Sequence, residues 1–66
     1  MNDEILRYTD LAAAIQLAKA NEMSTSEIVR ALTQGRNYTD SLGIARMAAP
    51  LLDLGVMEFM RLRKNG

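Results

Sequence analysis

Acid–base and nucleophilic chemistry in proteins draws most heavily on His and Cys, and this chain has neither. Its eight carboxylates are Asp3, Glu4, Asp10, Glu22, Glu27, Asp40, Asp53 and Glu58, scattered rather than paired around a recognisable motif. There is no Gly-rich phosphate loop. Thiolate and imidazole metal sites and disulfides are excluded by composition. The expectation is therefore no enzyme, no metal and no cofactor.

The side chains that can recognise something lie in NEMSTSEIVRALTQGRNY, residues 21–38. This stretch holds the cations Arg30 and Arg36, with the polar side chains of Thr25, Ser26, Asn37 and Tyr38 near them. Against this stands the charge. The chain carries eight cations and eight anions, and within 21–38 Glu22 and Glu27 balance Arg30 and Arg36. Non-specific nucleic-acid affinity comes from neutralising phosphates, so any such binding is expected to be modest and salt-sensitive.

Local signals fix a helix under those residues. Ser24 and Glu27 have the Ser-x-x-Glu spacing of a capping box, and Met23 with Ile28 has that of a hydrophobic staple. Gly35 supplies a left-handed residue to end the helix, giving a helix over 25–34. The whole chain reads as one all-α domain, residues 1–66, since helix formers dominate and alternating patterns are absent. We expect a small bundle of three to five helices, at about 3–20, 25–34, 40–49 and 51–64. In the first, Ile5, Tyr8, Ala12 and Ile15 share a face that Leu11, Ala14 and Ala18 widen. The tripeptide YTD occurs at 8–10 and 38–40, and its Thr-Asp pair suits a helix start. Helix 1 thus either runs unbroken or restarts near Thr9. Pro50 either kinks the last helix or opens a fresh one.

The segment after Asp40 is apolar on most sides, and 48% of the chain is hydrophobic. A chain this short has little core with which to surround such a helix. The expectation is a homodimer through residues 47–62, built on Met47, Leu51, Leu54, Val56, Met57, Phe59 and Met60. The window 42–60 contains Arg46, Asp53 and Glu58, which argues against a membrane span. Basic residues gather only at the last turn, which argues against a membrane-surface helix. The opening MNDEILR lacks the layout of a signal peptide, so a cytoplasmic location is expected.

SEIVRALTQGR resembles the recognition helix of phage Cro-type repressors and small excisionase-like regulators. The similarity covers residues 14–38 and rests on Ala18, Ser24, Ile28, Arg30, Leu32, Gly35 and Arg36. It implies a helix-turn-helix at 10–35 and a dimeric, DNA-binding transcriptional regulator of phage or mobile-element type. Base-facing positions then fall on Thr25, Ser26, Val29 and Arg30, while Arg36, Asn37, Tyr38 and Lys19 meet the phosphates of double-stranded DNA. The sequence departs from that family at the turn, with Glu22 in place of Gly and Asn21 in place of a large apolar residue. A left-handed Glu22 costs about 1 kcal/mol unless Asn21 takes that conformation. The alternative is a helical protein-binding module, such as an inhibitor, anti-activator or antitoxin-like adaptor. Its apolar C-terminal helix, with Met47, Met57 and Met60, would be the docking face.

Overall fold

Four α-helices and one short 3-10 turn make up residues 8–65, the part of the chain that the computed structural model describes. The helices are α1 (Tyr8–Ala20), α2 (Thr25–Thr33), α3 (Tyr38–Ala48) and α4 (Val56–Asn65), with the 3-10 turn at Pro50–Leu52 between the last two. The all-α bundle expected from composition is what forms. α4 lies against α2 and α3, while α1 packs on α3 and the 3-10 turn.

One core joins them. Leu11 and Ile15 come from α1, Ile28 and Val29 from α2, and Ile44, Ala45 and Ala48 from α3. Ala49 and Leu52 come from the connection, and Phe59 and Met60 from α4. The three alanines are fully buried beside Phe59, the largest fully buried side chain. Small residues on α3 let α4 come close, and the phenyl ring fills the space this leaves. This overturns the expectation that Phe59 and Met60 lie on a dimer face. Both are inside the monomer, because α4 is shorter than expected and folds back onto the bundle instead of projecting from it. On α1 the core stripe is Leu11 and Ile15, flanked by Ala18, and Ala14 is exposed.

The connections explain where each helix stops. α1 ends in a Schellman motif: Met23 N–H donates to the Ala18 carbonyl at 3.1 Å and Glu22 N–H to the Lys19 carbonyl at 2.9 Å. Glu22 is the left-handed residue, at φ 61°, so the strain falls on it and not on Asn21. α2 ends differently. Gln34 sits at φ −59° and ψ 128°, Gly35 at φ 76°, and Arg36 N–H donates to the Thr33 carbonyl at 3.0 Å. That is a type II turn, whose third residue favours Gly. α3 begins two residues earlier than expected, capped by Asn37, whose side-chain oxygen accepts from Asp40 N–H at 2.8 Å. The first YTD lies within the first turn of α1. The expectation for residues 3–7 falls outside the described residues.

Of the two alternatives, Pro50 ends one helix and opens a fresh one, but what it opens is a 3-10 turn and not an α-helix running from 51. α3 stops at Ala48, and Pro50 takes the first position of the 3-10 turn. A second Schellman pair follows, with Leu54 N–H on the Ala49 carbonyl at 2.8 Å and Asp53 N–H on the Pro50 carbonyl at 3.1 Å. Asp53 is left-handed, at φ 63°. Only then does α4 begin, with Gly55 as its N-terminal flank: Phe59 N–H donates to the Gly55 carbonyl at 2.9 Å.

One hydroxyl goes unused. Ser41 is fully buried in α3, and its Oγ is the buried side-chain polar atom with no hydrogen-bond partner among the described residues.

The strain at Glu22 is measurable. Glu22→Gly should raise unfolding stability by about 0.5–1 kcal/mol, a shift of a few degrees in thermal midpoint. Glu22→Ala keeps the β-carbon and should show no such gain. An equal gain in both variants would assign the effect to charge instead of backbone strain.

Candidate nucleic-acid interface on α2

α2 is held at both ends and along one side. Ser24 Oγ accepts from Glu27 N–H at 3.1 Å, and Glu27 Oε1 accepts from Ser24 N–H at 2.8 Å, which completes the capping box. Those bonds hold the Glu27 carboxyl below its ordinary value of 4.5: first the Ser24 backbone N–H, then its side chain, with the positive charge of Arg30 adding to them. Met23 and Ile28 both join the core, as a staple requires. Ile28, Val29 and Thr33 are buried, and Leu32 is half-buried. Thr33 remains buried because its hydroxyl donates to the Val29 carbonyl at 2.8 Å.

That inward stripe decides which residues remain outside. Thr25, Arg30, Ala31 and Gln34 are exposed, and Ser26 is half-buried. Val29 is 0% exposed and cannot meet a thymine methyl, which corrects its expected place among the base-facing residues. From Ile28 and Leu32 the apolar stripe can widen toward Val29 or toward Ala31. The larger side chain goes inside, and that size difference was the available signal. The outward row is instead Glu27, Arg30, Ala31 and Gln34, and Ala31 and Gln34 were missed by the sequence reading.

Beside this row lies an open groove of about 750 Å³, whose lining includes Glu27, Arg30, Gln34, Arg36 and Arg63. Three arginines, from α2, the α2–α3 connection and α4, line this groove together with Glu27, and of the three it is Arg30 whose charge acts on the Glu27 carboxyl. Arg63 is the unexpected member. Its Nη2 donates to the Arg36 carbonyl at 3.2 Å and straps the end of α4 to the connection after α2. The other expected phosphate contacts lie elsewhere. Lys19 Nζ donates to the Leu51 carbonyl at 3.2 Å, tying α1 to the 3-10 turn. Asn37 caps α3, and Tyr38 is 57% exposed beside α4, in a separate depression. Of the expected interface residues, Met47, Leu51, Leu54 and Val56 are half-buried against the core and Met57 is 67% exposed.

Among the described residues no group of three or more acidic, Cys or His side chains is placed to hold a metal ion. No described helix is long and apolar enough to cross a membrane. Comparison with protein-family models, curated proteins and solved structures finds nothing that matches this chain.

Two measurements probe this arrangement. The folded Glu27 carboxyl ionises below 4.5, so its bonds stabilise the fold above that pH and fade as the pH falls through the lower folded value. The stability gap between the native chain and Glu27→Gln should therefore be widest near neutral pH and close on acidification in urea titrations. Arg63→Met should speed amide exchange at Gly35, Arg36 and Asn37 while leaving α1 unaltered. Unchanged exchange at those three amides would mean the strap does not hold the connection.

Proposed function

We propose that this protein is a small DNA-binding transcriptional regulator of phage or mobile-element type that lays α2 in the major groove. The observation that carries the reading is that Arg30, Arg36 and Arg63 line one groove beside α2 in a chain of zero net charge. Support also comes from the resemblance of residues 14–38 to Cro-type and excisionase-like regulators, and from the short turn that joins α1 to the capped α2.

At about 1.5 Å per residue the nine residues of α2 span about 14 Å, a length that the major groove, about 12 Å wide, accommodates. Arg30 and Gln34 reach base edges, where Arg suits guanine and Gln suits adenine. Thr25 and Ser26, in the first turn of α2, bond bases or phosphate. Arg36 and Arg63 set the register on the backbone. Three cations give little non-specific affinity, so two copies acting together supply the rest. With Phe59 and Met60 in the core, the contact between copies falls on Met47, Leu51, Leu54 and Val56.

Selection from a random duplex library, followed by anisotropy against salt, tests the reading. A preferred site should emerge, bound by two copies. With two copies on the site, Arg36→Ala and Arg63→Ala should each remove two phosphate contacts and lower the slope of log K against log salt by about 1.8. Arg30→Ala should cost about 1–3 kcal/mol and relax the preference at one base pair. If no duplex is enriched, or Arg30→Ala keeps the full site preference, α2 is not a reading helix.

A further inference from the structure

A second depression, of about 570 Å³, lies where α4 passes the start of α3, lined by Tyr38, Met57, Met60, Arg61, Arg63 and Lys64. Its chemistry differs from that of the α2 groove. Met57 is 67% exposed and Tyr38 57%, two of the three large hydrophobic side chains exposed among the described residues, and both are at this place. The buried Met60 forms part of the lining. Three cations share that lining, and among the described residues no carboxylate does.

Helix electrostatics account for part of this. Arg63 and Lys64 lie in the last turn of α4, where cations complement the negative helix end. That does not explain an exposed methionine and an exposed tyrosine, brought from different helices to stand beside three like charges.

Two occupants fit poorly. A second copy docked two-fold on this face would set Arg61, Arg63 and Lys64 against their own counterparts, since such an interface meets itself. A phosphate backbone would satisfy the cations but has no apolar group for Met57 to cover. A segment that offers both carboxylates and a large apolar side chain matches both halves of the surface. Methionine is suited to the apolar half because its flexible thioether adapts to the shape placed on it.

We propose that this depression docks an acidic amphipathic helix of a partner protein. An apolar side chain of that helix seats between Tyr38 and Met57, and carboxylates on the flanking turns pair with Arg61 and Lys64. The site is independent of the DNA reading: it uses the α3–α4 side of the bundle, and only Arg63 borders both depressions.

The probe is a fluorescein-labelled helical peptide with leucines along one face and glutamates on the flanks. Its all-polar counterpart has serine for each leucine, and a DNA duplex serves as a third ligand. Anisotropy should show saturable binding of the amphipathic peptide, and amide shifts in the labelled protein should centre on Tyr38, Met57 and Arg61. Met57→Asp and Arg61→Glu should each weaken binding about tenfold or more. Both positions are exposed, and a thermal melt of each variant verifies its fold. Arg30→Ala, in the other groove, should bind the peptide as the native chain does. The proposal is overturned if the all-polar peptide binds as tightly, if Met57→Asp binds unchanged, or if the duplex moves those amides and the peptide does not.

Discussion

Closure of the core around Phe59 is the constraint on which the rest of this structure depends. With no disulfide and no metal ligand of the thiolate or imidazole kind, the helices are joined by packing and by side-chain ties such as those of Arg63 and Lys19. α3 presents Ala45 and Ala48 with Ala49 just beyond, all fully buried, and α4 comes near enough to set a phenyl ring among them. A bulkier α3 would hold α4 away, and Phe59 and Met60 would then be exposed. The radius of gyration, 10.7 Å, is about that of a compact chain of this length standing alone.

Returning α4 to that position requires a sharp reversal, which the residues from Ala49 to Gly55 supply. Pro50 cannot donate the bond that would continue α3, so the chain tightens into a 3-10 turn. Asp53 then adopts a left-handed conformation, which its short polar side chain tolerates better than most non-glycine residues. The same solution appears after α1 with Glu22. In both places two backbone hydrogen bonds close the helix end and lead the next apolar residue, Leu54 or Met23, back to the core. Those bonds and contacts offset a local strain of about 1 kcal/mol.

The return of α4 also determines the electrostatics. Counted along the chain, charge cancels, and Arg63 and Lys64 read only as partners of a helix dipole. Folded, Arg63 stands beside Arg30 and Arg36, while Arg61 and Lys64 border Tyr38 and Met57. A neutral chain thus acquires a locally cationic side. The exposed apolar surface is likewise narrower than composition implies, because α4 turns Phe59 and Met60 inward and leaves only Met57 of that group strongly exposed.

The sequence alone determined what depends on residues within a turn of one another. The α2 cap formed by Ser24 and Glu27, the staple pair, the left-handed Gly35 and the all-α class were all legible, because such hydrogen bonds join residues three or four apart. The cap of α3 was misassigned by one local alternative, Asn37 standing just before the Thr-Asp pair that looked like a start. The sequence left open where α4 starts and whether Phe59 lies in the core of a single chain, and packing between distant helices placed them at Val56 and inside. Tertiary structure alone brought Arg63 to the Arg36 carbonyl, across a separation of 27 residues. Local spacing carries no information about which helix faces meet, since that follows from the volumes packed between elements far apart in the chain.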